Sequence, residues 1–314
     1  MDGFVAPGAG RRRTLRSRIA FSGIGLHSGQ RIRGSLGPGQ SGEGLVFFRS
    51  DLGVAIPAQH ELVVDTRLCT MLGEGAARIG TVEHIMAALI GHGIDDALIE
   101  LDGPEVPIFD GSAEPFQFLI DCAGVVTHPG IARSIEVLKT IRVVDGDGPD
   151  APWAELRPSD SGQFEAELSI EFDAQVIGRQ WASLRLSPQA FRAELASART
   201  FALAKDVNKL REAELGLGGS LDNAVVVDGA RVLNPGGLRS PDEFVRHKLL
   251  DVVGDLGLAG APLVGRFVGH RTGHALNHKL LTALFADRGA WRMTGGHAMV
   301  DGISSRLPAA AAAF

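Results

Sequence analysis

Two distant segments carry the same local pattern, and that pattern constrains the fold more than any other feature of the sequence. Glu83-His84 opens a helix-like run with Gly91 seven residues after the histidine and Gly93 beyond it. Arg246-His247 opens another, with Gly254 seven residues after its histidine and Gly257 beyond. A chain with an internal repeat of this kind folds as two similar halves, each contributing a histidine near the start of a helix. A match this short also arises by coincidence, so the sequence leaves both readings standing.

The flanking grammar is mixed. Strands are expected over 14–21 and 30–36, around the turn-rich Ser22-Gly-Ile-Gly-Leu-His-Ser-Gly29, and over 45–48, 61–64 and 97–101. Thr81 caps the first histidine-bearing helix, and a Pro/Asp/Gly loop at 104–111 leads to a helix over 113–123. His128-Pro129-Gly130 reads as a linker. Beyond it come strands over 135–144, 154–158 and 164–172, a helix over 188–196, a strand at 200–202, an inserted segment over 203–220, a strand over 224–227, and helices over 241–256 and 276–285. The expected fold class is α+β: two similar two-layer sheet-plus-helix domains facing each other, with a small inserted segment in each half. The first domain is placed at 1–128 and the second at 129–301, with a tail at 302–314. Residues 1–13 are expected to be a mobile lead.

Composition agrees with two domains. At about 150 residues each, 314 residues make two. Apolar residues at 45% and charged residues at 22% suit globular domains with their own cores. The net charge of −6 weighs against nucleic acid as a partner. Two cysteines and no CxxC exclude a disulfide framework and a thiolate zinc site. No apolar region follows Arg11-Arg12-Arg13, and no run approaches 18 uncharged apolar residues. Neither a targeting segment nor a membrane span is expected, and a cytoplasmic location fits.

Three local patterns bear on chemistry. In His247-Lys-Leu-Leu-Asp251 the i, i+4 spacing puts an imidazole and a carboxylate on one helical face. That is two of the three protein ligands a catalytic zinc takes; an exposed, solvated face has the same spacing. In Glu83-His84 a ligating histidine would stand beside a carboxylate able to reach metal-bound water, although HExxH is absent; the alternative is a first-turn glutamate favoured by the helix dipole. His270-Arg-Thr-Gly-His-Ala-Leu-Asn-His278 holds three histidines, and Gly273 makes it a loop entering a helix. One functional histidine is expected there, with the other two solvated.

Taken together, the segments resemble the UDP-3-O-acyl-N-acetylglucosamine deacetylase family, the zinc enzymes of lipid A synthesis, from Thr14 to about Ala286. The resemblance rests on Gly23-Ile-Gly-Leu-His-Ser-Gly29, Thr66-Arg-Leu-Cys-Thr70, Thr81-Val-Glu-His84, Pro107-Ile-Phe-Asp-Gly-Ser-Ala113, Ala198-Arg-Thr-Phe201, Leu217-Gly-Gly-Ser220, Glu243-Phe-Val-Arg-His-Lys248, Gly254-Asp-Leu-Gly257 and Gly273-His-Ala-Leu-Asn277. It departs at Met71, where the family often has a second cysteine, and over 175–181, a segment shorter than in relatives.

The resemblance implies a zinc ion held by His84, His247 and Asp251, with Glu83 as general base. It implies His274 as the second catalytic group, kept cationic by Asp255, and Thr200 as a hydroxyl donor to the oxyanion. Phe201 and Lys248 would contact the sugar and diphosphate region, and Phe172 would stack on uracil. The implied reaction is hydrolysis of the N-acetyl group of UDP-3-O-(3-hydroxyacyl)-N-acetylglucosamine by a monomer without a membrane span, in transient contact with a membrane surface. Leu203, Val207, Leu210, Leu215 and Leu217 would line a passage for the acyl chain. A nucleotide-sugar or lipid-binding module is the competing class, but it would be expected to lose Glu83 or a ligand, and none is lost.

Overall fold

The computed structural model describes residues 10–295. It is an α+β protein. The first half contains β1 (Arg11–Leu15), β2 (Ile19–Ile24), β3 (Arg31–Pro38), β4 (Leu45–Arg49), β5 (Val54–Pro57), β6 (Val63–Asp65), β7 (Met71–Glu74), β8 (Ala77–Ile79), α1 (Glu83–Gly91), β9 (Ala97–Leu101), α2 (Glu114–Ala123) and β10 (Val125–Ile131). The second contains β11 (Ser134–Val137), β12 (Ile141–Val144), β13 (Trp153–Arg157), β14 (Phe164–Glu171), β15 (Arg179–Arg185), the short α3 (Pro188–Ala190), β16 (Phe201–Leu203), α4 (Ala204–Glu212), β17 (Val225–Asp228) and β18 (Arg231–Val232). It ends with α5 (Glu243–Leu256), β19 (Leu263–His270), α6 (His274–Ala286) and β20 (Trp291–Thr294).

The two halves repeat each other's topology. One sheet runs β2-β3-β9-β4-β5. The other contains the run β12-β13-β19-β14-β15, with β11 added beside β19 and β20 beside β11. Strand senses also match. The β3–β9 and β13–β19 pairs are antiparallel, and β4–β9 and β14–β19 are parallel. Each half then places an inserted sheet, a long helix, a central strand and a second helix in the same order. The inserts are β6-β7-β8 in the first half and β16-β17-β18 with α4 in the second.

Strand β14 shows why these residues make sheet: Phe164, Ala166, Leu168 and Ile170 alternate inward with period two. Helices α1 and α5 are different, being buried on almost every face and packed against each other. Their close approach depends on Gly254, where a Cβ would collide with the backbone carbonyl of Glu83. Helices this apolar have no bland reason to bury Glu83, His84, His247, Asp251 and Asp255, so the polar residues mark the seam as a site.

Several expectations change. His128-Pro129-Gly130, read as a linker, lies within strand β10, which pairs with β1. Arg11–Arg13 already belong to β1. Residues 135–144 form two strands. The helix expected over 188–196 continues α3 as a π-helical turn, Phe191–Leu195. Strand β19, the centre of the second sheet, has no counterpart in the sequence reading, because its glycines Gly265 and Gly269 look like loop signals. They are close-approach points, where a Cβ would press on Val137 and on Phe267 and Thr272. No helix among the described residues is long and apolar enough to cross a membrane. The tail at 302–314 lies outside the described residues.

Candidate metal centre

His84 stands in the first turn of α1, and His247 and Asp251 stand one turn apart on α5. All three are almost fully buried, and one ligand atom from each lies within 4.8 Å of the others. The rings of His84 and His247 meet edge to face at 5.1 Å. His247 donates its Nδ1 proton to the carbonyl of Ala198 at 3.0 Å. That bond leaves Nε2 as a bare lone pair in the neutral ring. It points at Asp251 Oδ1, 3.3 Å away, and His84 Nε2 is 3.9 Å from the same oxygen.

Asp251 Oδ1 has no hydrogen-bond donor, and neither has His84 Nδ1. Burial pushes both imidazoles toward their neutral forms, His84 down to about 3. Burial would raise the Asp251 carboxyl, but the cationic Lys248 and His274 outweigh it and hold the group below the usual carboxylate range. An anionic oxygen and two neutral imidazoles therefore converge, and the Nε2 of His247 brings no proton to that oxygen, an arrangement that suits a cation. Two imidazoles and a carboxylate are donor types that a divalent metal ion such as zinc takes.

A second group of residues borders the triad. Burial raises the Glu83 carboxyl to about 8, and the nearby Asp255 and Asp251 add to the rise. Its Oε2 accepts the backbone amide of Thr70 at 3.0 Å, and its Oε1 is 4.0 Å from His274 Nε2. His274 opens α6 and donates from Nδ1 to Asp255 Oδ2 at 2.9 Å. Burial would lower its pKa, but Asp255, Glu83 and Asp251 overcome that and hold it up to about 9. Asp255 also accepts from Thr70 Oγ1 at 2.6 Å and from Asn277 Nδ2 at 2.8 Å. Two residues in left-handed backbone, Thr81 (φ 57°) and Arg271 (φ 53°), precede Glu83 and His274; such strain gathers at functional sites.

The remaining expected residues lie around this centre. Lys248 Nζ binds Asp251 Oδ2 at 2.9 Å and sits 5.8 Å over the ring of Phe201. Phe201 meets His247 at 6.3 Å and Phe172 at 5.5 Å. Phe172 and Lys248 line a 320 Å³ cavity together with Lys205 and Arg271. Thr200 and Phe201 line a separate, mostly apolar cavity of 330 Å³ with Leu26, His27, Val207 and Leu210. A neighbouring apolar cavity of 440 Å³ shares His27, Leu68 and Leu210 and adds Met71 and Leu215. Of the residues expected along the acyl passage, Val207, Leu210 and Leu215 line these apolar cavities. Leu203 lines the Phe172 cavity instead, and Leu217 is 54% exposed.

The extra histidines stand apart from the triad, but they are not simply solvated. His270 Nδ1 meets Ser169 Oγ at 2.8 Å, and His278 Nε2 donates to the His60 carbonyl at 3.0 Å. Cys69 is buried, and that burial pushes its thiol up to about 12. The sequence assigns no role to Thr70, Asn277, Lys205 or Arg271, although Thr70, Asn277 and Arg271 stand in the segments quoted above. A polar residue just before a strand, or on an insert helix, carries no local mark of what it will face.

A family profile described as UDP-3-O-acyl N-acetylglycosamine deacetylase (LpxC) matches residues 12–286. A UDP-3-O-acyl-N-acetylglucosamine deacetylase of Acidithiobacillus ferrooxidans is 49% identical over 285 residues, 90% of this chain and 92% of its own length. One from Myxococcus xanthus is 47% identical over 285 residues, 90% and 89% of the two chains. One from Anaeromyxobacter dehalogenans is 45% identical over 302 residues, 96% of each. The match spans both histidine-bearing helices and nearly the whole described fold, and the chain belongs to the UDP-3-O-acyl N-acetylglycosamine deacetylase family.

Proposed function

We propose that the chain removes the N-acetyl group of a UDP-3-O-acyl-N-acetylglucosamine by hydrolysis, a step of lipid A biosynthesis, with one zinc ion held by His84, His247 and Asp251. The observation that carries this reading is the donor-free Asp251 Oδ1 facing the bare Nε2 of His247 at 3.3 Å, with Glu83 and a cationic His274 alongside. A zinc ion held there supplies Lewis acidity, lowers the pKa of a water toward about 7 and favours the ionised form of neighbouring Glu83.

The chain's own residues handle protons and charge. Glu83 takes a proton from the attacking water on Oε1, since Oε2 is occupied by the Thr70 amide. His274, cationic through Asp255, stabilises the developing oxyanion, and the hydroxyl of Thr200 donates to the same oxygen. The departing amine is protonated by His274 or by Glu83.

Substrate recognition follows the cavities. Phe172 offers its ring to uracil, and Lys248, with Lys205 and Arg271 beside it, faces the diphosphate. Phe201 contacts the sugar, and the acyl chain occupies the cavity lined by Val207 and Leu210. Leu68 and Leu221, 40% and 42% exposed, also line that cavity. They support a transient contact with a membrane surface where an acylated substrate rests. The enzyme in this reading is a cytoplasmic monomer, with one domain over 1–128 and the other over 129–301; the repeated strand order supports two halves, and the boundary falls within β10. The test is release of acetate from the acylated UDP-sugar by purified, zinc-loaded protein. The reading requires turnover that a chelator abolishes and added zinc restores; no acetate from zinc-loaded protein removes it.

A further inference from the structure

The two carboxylates beside the triad, Glu83 and Asp255, come from different helices, yet both are tied to one residue. Thr70 is 1% exposed and immediately precedes β7. Its amide donates to Glu83 Oε2 at 3.0 Å. Its hydroxyl meets Asp255 Oδ1 at 2.6 Å, across 185 residues of sequence. Its carbonyl accepts the amide of Val82, just ahead of α1, at 3.3 Å. The direction of the hydroxyl bond is fixed, because an ionised carboxylate has no proton to give.

We propose that Thr70 is a positioning residue that assigns the oxygens of both carboxylates, holding Glu83 Oε1 free for the reacting proton and Asp255 Oδ2 for His274. This rests on the deacetylase reading of the site. A carboxylate offers two equivalent oxygens and can turn about its last bond. With Oε2 held by the Thr70 amide, the other oxygen of Glu83 is the one left facing His274 Nε2, 4.0 Å away. With Oδ1 held by the hydroxyl, Oδ2 of Asp255 is the oxygen that accepts from both His274 and Asn277. The base and the cationic partner are thereby set in one geometry by a residue hydrogen-bonded to Glu83, Asp255 and Val82. Partners at this remove are worth about ten- to a hundredfold in activity when lost.

The test compares Thr70→Val with Thr70→Ser. Valine keeps the amide and the shape but loses the hydroxyl; serine keeps the hydroxyl. We expect the valine variant to lose about tenfold or more in kcat, with KM and zinc content at wild-type values. The serine variant should retain most of the wild-type kcat. A merely structural role would lower zinc content or thermal midpoint in step with kcat. Wild-type kcat in Thr70→Val overturns the proposal, and so does an equal loss in both variants. If the valine variant does not fold, the serine variant decides alone, since a tenfold loss there overturns it. A zinc-loaded wild type that releases no acetate strikes instead at the deacetylase reading.

Discussion

His247 and Asp251 face each other across one turn of α5, with imidazole Nε2 3.3 Å from carboxylate Oδ1 and the opposite ring nitrogen committed to the Ala198 carbonyl. Lys248 holds the other oxygen of Asp251. Burial keeps the imidazole neutral, so no proton bridges the gap. A donor-free oxygen and a bare nitrogen facing each other suit a cation.

That relationship predicts the metal stoichiometry. Purified wild type should carry about one zinc per chain by atomic emission, and His247→Ala sharply less. Chelation should also lower the denaturation midpoint, because a ligand bound at about 100 times its Kd stabilises the folded state by about 2.7 kcal/mol. Full zinc occupancy in His247→Ala takes His247 out of the ligand set.

Glu83→Gln removes the proton acceptor while leaving an amide oxygen to receive the Thr70 amide. Zinc content should stay at the wild-type level while kcat falls by about 10²–10⁴. Both are read on one preparation, by metal analysis and by acetate release. Turnover near the wild-type rate with metal intact removes Glu83 as the base.

Val207 lines the 330 Å³ apolar cavity from α4, so Val207→Trp should fill the space proposed for the acyl chain. Excluding two or three methylene groups, at about 0.8 kcal/mol each, raises KM for a myristoyl substrate on the order of tenfold or more. A butyryl analogue should be indifferent. Equal effects on both substrates would move the chain out of this cavity.

The sequence revealed helices more readily than strands. α1 and α5 announce themselves because periodic apolar residues, a polar start and terminal glycines all agree, and both histidines fall on them. β19 stayed hidden because Gly265 and Gly269, needed for close approach inside the sheet, look locally like loop residues. The same asymmetry holds at the site. His84, His247 and Asp251 stand on recognisable helices and meet in the fold. Thr70 acquires its meaning only from Asp255, which lies 185 residues away and on another element. The role of Gly254 is likewise invisible until α5 lies against the Glu83 carbonyl.

The pH profile tests the pairing of His274 with Asp255. Activity requires an ionised base and a cationic partner at once, so kcat/KM should be bell-shaped, with apparent values belonging to the coupled site. Burial alone would lower the pKa of His274, but the Asp255 carboxylate, bonded to Nδ1 at 2.9 Å, leads the charges that hold it up to about 9. The basic limb should therefore lie above the ordinary histidine value of about 6.5. A raised folded-state pKa also means that this pair's contribution to stability is complete below the ordinary histidine value of about 6.5 and is lost as pH rises through about 9. Asp255→Ala removes the partner and should move the basic limb to lower pH, leave zinc bound, and flatten the fall in denaturation midpoint over that same window. His274→Ala should lower the maximum rate and erase the limb. The measurements are kcat/KM and thermal midpoint against pH for wild type and both variants. If the basic limb stays put in both, a group other than His274 sets it, and the Asp255–His274 pair has no part in the ionisation that limits the rate.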